Sequence, residues 1–189
     1  MKRLIVLRHS LKNSGSGNVT LSLPGQNLAF AVGKKLKEAG LLDSVTVLVG
    51  SDQIRTIQTG LIILTAAEKA VMKVVQNSLV FTTRFDEWVK YLPSKETKLP
   101  ECENVLGYLK RTQPEFYKSE AESVANAYLS VFDSFKDGEV ALIVGHSPTT
   151  EMVIATLAEE DPNNISDLKE CEGWEIIMEN GKISIKILP

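Results

Sequence analysis

LIVLRHS, residues 4–10, is the stretch that decides the fold of this chain. Residues 3–7, which overlap the start of this stretch, have the length of a strand and are continuously apolar after Arg3. A run without alternation of polar and apolar residues is typical of a strand that is buried on both faces, at the centre of an α/β sheet. Arg8 ends the run well before the roughly 7–15 apolar residues that a secretory signal requires. We therefore expect the chain to begin with a central strand.

Further apolar runs predict the rest of the sheet. The first of them are short and rich in valine, which favours strands. The last two flank Asn180-Gly181, and because both residues tolerate the positive φ of a tight turn, this arrangement predicts an antiparallel hairpin. The strands expected after the first one cover residues 45–49, 71–75, 139–144, 174–178 and 183–188.

Between these strands, apolar residues recur at helical spacing. Leu28, Val32 and Leu36 stand four positions apart, as on one face of a helix. Ser51 and Asp52 are suitable N-cap residues for a second helix. The order of strands and helices predicts an α/β fold, a three-layer sandwich with a mostly parallel central sheet and an antiparallel C-terminal edge hairpin. The expected helices cover residues 24–39, 121–135 and 152–157, and the helix capped by Ser51 or Asp52 is expected to reach about residue 69.

The regular pattern is interrupted between residues 80 and 120. Prolines at positions 93, 100 and 114 separate polar stretches there. We expect a small cap-like insertion at about residues 84–119, lying over a site rather than in the core, within a single domain that covers residues 1–189. Five side chains of this insertion could meet an anionic or aromatic leaving group, although exposed lysines are more often simply solvated: Lys90, Lys95, Lys98, Trp88 and Tyr91.

The composition argues against several classes of protein. A net charge of −3 gives no general attraction to nucleic acid or to an anionic membrane surface. No apolar stretch approaches the ~20 residues of a membrane span, so we expect a cytoplasmic protein with neither membrane nor nucleic-acid partners. Cys102 and Cys171 have neither CxxC nor Cys/His spacing, and they predict neither a disulfide framework nor a zinc site.

Three polar segments follow directly after predicted strands. They are Arg8-His9-Ser10, residues 51–55 and Gly145-His146-Ser147. Ligands of open α/β sheets bind at the carboxyl ends of the strands, so the three segments can line one crevice. Both histidines of the chain lie in these segments. A single histidine is more often structural, but two at strand ends beside an arginine predict a functional site.

Four pieces of the sequence resemble, in order, motifs of the histidine phosphatase superfamily, also called the phosphoglycerate mutase-like family. Residues 4–10 resemble its Arg-His-Gly signature, and residues 21–29 resemble its Leu-Thr-x-x-Gly…Ala helix entry. Residues 51–59 are similar to its Ser-x-x-x-Arg…Gln-Thr helix, and residues 144–148 to its second histidine motif. The resemblance extends from residue 4 to about residue 157 and implies a phosphoglycerate mutase-like domain.

The resemblance also implies a role for each residue of the site. His9 is expected to attack phosphorus and form a phosphohistidine, for which an unprotonated ring nitrogen is a competent nucleophile. Arg8 and Arg55 match the phosphate-binding arginines of the family, and their forked guanidinium groups suit phosphate oxygens. His146 is expected to assist catalysis by donating to the phosphate. These groups replace a metal ion, so we expect neither a metal site nor a cofactor.

The resemblance gives alternatives for the proton donor and for the loop after His9. An alkoxide leaving group needs a proton, usually from a carboxylic acid, and Glu87 is the expected donor with Asp86 as the alternative. Both could also be simple solvated carboxylates. Ser10 replaces the glycine of the family signature and could contact phosphate or crowd the loop. Asn13 and Asn18 are nearby candidates for a phosphate-contacting asparagine that has no match at the expected spacing.

The predicted activity is hydrolysis of a phosphate monoester, carried by a small phosphorylated substrate or a phosphoprotein. Two alternatives remain open: a mutase, which returns the phosphoryl group to its substrate, and a non-catalytic module that binds a phosphorylated ligand. The small cap favours a hydrolase, since a mutase must exclude water from its intermediate. The sequence predicts neither the substrate nor the oligomeric state.

Two other motifs give weaker predictions. Ser147 could be the nucleophile of a serine hydrolase elbow, but Thr149 stands where that motif has glycine. The catalytic histidine should also follow the serine, and no histidine follows His146. Residues 14–18 resemble a phosphate-binding loop without its Gly-Lys-Ser/Thr ending, so a flexible loop is the better interpretation.

Overall fold

A six-stranded mixed sheet forms the centre of the molecule. The computed structural model describes residues 1–15, 17–70, 73–94 and 96–189. The strands of the described residues are β1 (Lys2–Arg8), β2 (Val45–Gly50), β3 (Lys73–Gln76), β4 (Val140–Gly145), β5 (Gly173–Glu179) and β6 (Lys182–Ile187). The strand order is β3-β2-β4-β1-β5-β6, so the first strand lies inside the sheet as the sequence predicts.

Strand directions agree with the predicted mixed sheet. Strand β1 pairs in parallel with β4, which pairs in parallel with β2, and β2 pairs in parallel with β3. Strand β5 runs antiparallel to both β1 and β6. Asn180 and Gly181 have φ of 51° and 74°, which confirms the predicted tight turn between β5 and β6. Residues 71 and 72 of the predicted third strand lie outside the described residues.

Helices cover both faces of the sheet and complete the three layers. Leu4 and Val6 point into one core, together with the helices of residues 114–133 and 149–157. Ile5 and Leu7 point into the other core, together with the helices of residues 23–38 and 54–66. This alternation explains why the whole apolar run of β1 is buried. None of the described helices is long and apolar enough to cross a membrane. The helices are α1 (Leu23–Glu38), α2 (Ile54–Ala66), α3 (Phe85–Tyr91), α4 (Val105–Thr112), α5 (Pro114–Asp133) and α6 (Thr149–Leu157).

The start of α2 corrects one sequence prediction. The helix begins at Ile54, and its N-cap position is occupied by Gln53 rather than by Ser51 or Asp52. Gln53 gives no side-chain cap, and the Ile54 N–H is instead accepted by Asn18 Oδ1 at 2.6 Å. The loop that precedes α1 in the chain therefore supplies the cap of α2, a long-range contact that local sequence cannot indicate.

The described part of residues 84–119 contains more helix than its sequence pattern indicates. It contains α3, α4 and the start of α5, which begins at Pro114 rather than at residue 121. Proline is favoured in the first turn of a helix, so Pro114 starts a helix instead of interrupting one. Lys95 lies outside the described residues. A small core holds these helices against α6, and its buried members are Trp88, Leu106, Leu109, Phe116, Tyr117, Ala121 and Met152.

Replacing Gly25 by alanine is expected to lower the free energy of unfolding by about 1–3 kcal/mol. Gly25 lies in the first turn of α1, and a Cβ atom there would stand 2.0 Å from the Leu11 backbone oxygen. To relieve this steric clash, the loop that follows His9 would have to shift. Urea denaturation of Gly25→Ala measures the change. Gln26→Ala, at the next, exposed position, is the control, and equal stabilities of the two variants would contradict the prediction.

Candidate active site

His9 follows β1 directly and is held in one orientation. Its side chain is 8% exposed, and its backbone N–H donates to the Gly145 oxygen at 3.0 Å. The ring nitrogen Nδ1 lies 2.7 Å from the backbone oxygen of Ser10. A carbonyl oxygen only accepts, so Nδ1 carries the proton and Nε2 carries the lone pair. Arg55 Nε donates to that lone pair at 3.2 Å.

The surroundings of His9 keep its imidazole neutral. Burial is the main cause that lowers its pKa to about 4, and the positive charges of Arg55 and Arg8 act in the same direction. The hydrogen bond to the Ser10 oxygen opposes this effect only in part. At neutral pH the ring therefore presents an unprotonated Nε2, the form of histidine that can act as a nucleophile.

His146, at the carboxyl end of β4, lies next to His9. The centroids of the two rings are 5.0 Å apart. Arg55 Nη2 is 3.4 Å from His146 Nδ1 and can only donate, so the proton of His146 is on Nε2 and points to Ser51 Oγ at 2.7 Å. Burial, then the neighbouring His9 and the arginines, lower the pKa of His146 to about 2. Its N–H must leave Ser51 before it can donate to a phosphate.

Arg55 joins the two histidines. Besides its contacts with them, Nη1 donates to Gln53 Oε1 at 2.9 Å and is 3.4 Å from the Gly17 oxygen. Burial lowers the pKa of Arg55, but a guanidinium group stays charged in proteins. Among the described residues, no carboxylate forms an ion pair with it, and no group of three or more His, Cys, Asp or Glu side chains is placed to hold a metal ion. Its charge is therefore available to an anion.

Arg8 is near the histidines but has other partners. Nη1 donates to the backbone oxygen of Leu168 at 2.5 Å, and Nη2 forms an ion pair with Glu170 at 3.0 Å. The segment that supplies both partners follows α6 in the chain. The structure thus brings His9, His146 and Arg55 into one hydrogen-bonded group, while Arg8 lies outside that group and its charge is partly neutralised.

The hydroxyl of Ser10 forms a hydrogen bond within the protein. It is fully buried and donates to the Gly25 oxygen at 2.7 Å, so it ties the loop after β1 to α1. The backbone N–H of Ser10 donates to Thr59 Oγ1 at 3.0 Å. The amide of Asn13 donates to Thr20 Oγ1 and to the Leu21 oxygen. Asn18 caps α2, so neither asparagine contacts the histidines.

Glu87 and Asp86 are placed in the first turn of α3. Glu87 is 43% exposed and accepts two hydrogen bonds of 2.7 Å from Arg84. Those bonds are the main cause that lowers the pKa of Glu87, so the carboxyl is ionised in this arrangement. Asp86 is exposed and makes no side-chain hydrogen bond within the described residues. Neither residue contacts the group formed by the histidines and Arg55.

Sequence reasoning missed several partners of the site. Ser51 was expected to cap a helix but accepts the His146 N–H. The ring of Phe81 packs against that of His146 in a tilted arrangement, with centroids 4.1 Å apart and an interplanar angle of 38°. Glu170 pairs with Arg8. The position of Ser51 at a strand end was a usable signal, whereas Phe81 and Glu170 carry no local pattern that indicates their role.

The low pKa values of both histidines predict a pH-dependent stability. Below about pH 6.5 the histidines of the unfolded chain take up protons, whereas folded His9 stays neutral down to about pH 4 and His146 to about 2. The unfolded state then binds more protons, so the free energy of unfolding falls as the pH falls, by about 1.4 kcal/mol per pH unit for each histidine.

Urea denaturation at about pH 7 and about pH 5 measures this effect. His9→Asn removes one titrating group, so its stability should fall less steeply over this interval than that of the unaltered protein. The carboxylates contribute equally to the pH dependence of both stabilities, so their contribution cancels in the comparison. Parallel pH dependences would contradict the lowered pKa of His9.

Comparison with known proteins gives matches only among solved structures: neither the protein-family models nor the curated proteins match. Phosphoserine phosphatase from Entamoeba histolytica is 18% identical, with a TM-score of 0.67, and 99% of this chain and 96% of that chain are covered. YhfR from Bacillus stearothermophilus is 15% identical, with a TM-score of 0.67 and coverages of 99% and 96%. Phosphoglycerate mutase from Bacillus anthracis is 16% identical, with a TM-score of 0.66 and coverages of 98% and 92%. These likenesses confirm the predicted fold.

Proposed function

We propose that this chain, which has the histidine phosphatase fold, is a phosphatase that hydrolyses a phosphate monoester with His9 as nucleophile. One observation carries the proposal. His9 Nε2 is unprotonated, because Nδ1 donates to the Ser10 oxygen, and it faces a guanidinium group that has no carboxylate partner among the described residues. A fixed nucleophile beside an available cation is the arrangement that attack on a phosphate dianion requires.

The contacts of Arg55 indicate how a phosphate would bind beside His9. Its Nε and Nη2 atoms donate to His9 and His146. Phosphate oxygens are stronger acceptors than neutral imidazole, so a bound phosphate would take over these donors and release Nε2 of His9. The nitrogen then attacks phosphorus, the bond from phosphorus to the ester oxygen breaks, and a phosphohistidine forms. Water hydrolyses this intermediate and restores His9.

Arg8 and His146 would join the phosphate after exchanging partners. Arg8 has to leave Glu170, or be shared with it, before it can donate fully to a phosphate oxygen. His146 has to turn its N–H away from Ser51. Both exchanges replace a neutral or singly charged acceptor by a dianion, so the phosphate itself favours them. We include both residues in the proposed binding site on this basis.

Product analysis tests the proposal. The protein is incubated with O-phosphoserine, phenyl phosphate and 3-phosphoglycerate, and inorganic phosphate and 2-phosphoglycerate are measured. We expect phosphate release without isomerisation of 3-phosphoglycerate. Isomerisation that exceeds phosphate release would favour the mutase alternative. Binding of these compounds without release of phosphate from any of them would favour the non-catalytic module.

Substitution of Glu87 by glutamine tests the predicted proton donor. Loss of a general acid lowers kcat by about 10²-fold or more for an alkyl phosphate such as O-phosphoserine. Because Arg84 holds Glu87 in the ionised form, we expect a smaller loss, of about threefold, with this substrate. Steady-state kinetics of Glu87→Gln and the unaltered protein decide between the two results. A loss of 10²-fold would establish Glu87 as the donor.

A further inference from the structure

The space next to Arg55 is a cavity of about 490 Å³, a size that suits a small organic group. Arg55 and Ser51 line the side that belongs to the histidine site. Phe81, which contacts His146, and Phe85 also line the cavity. A substrate with its phosphate on Arg55 therefore places its leaving group beside two aromatic rings.

The two phenylalanines form a continuous aromatic wall that begins at the catalytic site. The Phe81 ring packs against His146, and its centroid is 5.8 Å from that of Phe85. Phe85 is 56% exposed, although a phenylalanine is normally buried. A flat ring in the cavity would cover Phe85 and gain both apolar burial and an aromatic contact.

The charges near the cavity also distinguish between leaving groups. An alkoxide is a strong base and needs a proton as it departs, whereas a phenolate, whose conjugate acid has a pKa of about 10, departs without one. Glu87, the predicted donor, is paired with Arg84 through both oxygens. Asp52 also lines the cavity, but its side chain is open to solvent. The site is therefore better suited to a leaving group that does not depend on an acid.

Resting on the proposed function, we propose that the substrate is an aryl phosphate, the phosphate monoester of a phenolic hydroxyl, whose ring packs against Phe81 and Phe85. His9 Nε2 forms the bond to phosphorus. The bond between phosphorus and the phenolic oxygen breaks, its electron pair stays on the oxygen, and the phenolate takes a proton from water. A second water attacks the phosphohistidine, the electron pair of the N–P bond returns to Nε2, and inorganic phosphate leaves.

Three substrates test separately the preference for a phenolate leaving group and the contact with an aromatic ring. Phenyl phosphate has the ring and a phenolate leaving group, benzyl phosphate has the ring and an alkoxide leaving group, and O-phosphoserine has an alkoxide without a ring. We expect kcat for phenyl phosphate to exceed that for benzyl phosphate by about 10²-fold. We expect KM for benzyl phosphate to be about tenfold lower than KM for O-phosphoserine.

Replacing Phe85 by alanine tests the ring contact directly. The ratio of kcat/KM for phenyl phosphate to kcat/KM for O-phosphoserine should fall about tenfold in Phe85→Ala. Phe30→Ala is the matched control, because Phe30 is also exposed, at 43%, but lies on α1 and does not line this cavity. Far-ultraviolet circular dichroism of both variants checks that they are folded.

The outcomes separate this inference from the proposed function. Release of phosphate from O-phosphoserine as fast as from phenyl phosphate, with loss in His9→Ala, would overturn the aryl specificity and leave the phosphatase intact. A substrate ratio that Phe85→Ala and Phe30→Ala change equally would likewise overturn the ring contact. No release from any of the three substrates would overturn the proposed function itself, and the inference with it.

Discussion

Replacing His9 by alanine will lower kcat for phosphate release by about 10⁴-fold or more, because the variant has no nitrogen to attack phosphorus. The fixed tautomer of His9 is the reason for so large an effect, since Nε2 is the atom that faces Arg55. Arg55 remains in the variant, so phosphate binding should be retained. Initial rates with phenyl phosphate, together with inhibition by inorganic phosphate, measure the two effects separately.

A covalent intermediate provides an independent readout of the same role. The unaltered protein is mixed with phenyl phosphate and quenched rapidly in alkali, where phosphohistidine survives. One phosphoryl group should then be found on the peptide that contains His9. His9→Ala should show none. Ser147→Ala is the matched control, because it removes the other candidate nucleophile from the neighbouring segment. Activity that depends on Ser147 and survives the loss of His9 would contradict the proposed mechanism.

Replacing Arg55 by alanine will lower kcat/KM by about 10³-fold, because in the proposed site a single arginine contacts both histidines and binds the phosphate. Its guanidinium contacts His9 Nε2 and His146 Nδ1 at 3.2 and 3.4 Å. Arg55→Lys should recover only a small part of the loss, since one ammonium group cannot replace the fork that spans both rings. Steady-state kinetics with phenyl phosphate measures both variants.

The pH profile tests whether Arg55 acts through charge. Its positive charge is one cause of the low pKa of His9 and of His146, so both pKa values should rise in Arg55→Ala. The acidic limb of the kcat/KM profile should then move to higher pH, which a purely structural role would not produce. Arg111→Ala is the control, because that arginine is exposed and pairs with Glu103. Equal profiles for the two variants would contradict the argument.

The elements that the sequence predicts well depend either on simple burial or on neighbouring residues in the chain. Strand β1 is recognisable because Leu4, Ile5, Val6 and Leu7 are all buried between two layers of helices. The hairpin between β5 and β6 follows from the positive φ that Asn180-Gly181 tolerates. In both cases the determining interaction involves neighbours in the chain or simple burial, so residue order reveals it.

The helices at residues 84–119 were not predicted, because their stability comes from contacts between distant segments. Helices α3 and α4 have only 7 and 8 residues, which is too short for a clear period. Trp88 on α3 donates to buried Glu120 on α5, and Asn104 contacts the segment after α6 through the oxygens of Pro162 and Ile165. Such polar contacts leave no hydrophobic pattern in the sequence.

The sequence by itself determined the sheet, its central strand and the position of His9, Arg55 and His146 at strand or helix ends. These features depend on burial and chain order, which repeat locally. Only the tertiary structure decided which nitrogen of each histidine carries the proton, that Arg8 pairs with Glu170, and that Phe81 packs against His146. Each of these features depends on the backbone geometry or on atoms from segments that are far apart in the chain. The distances between such atoms are set only when the chain is packed.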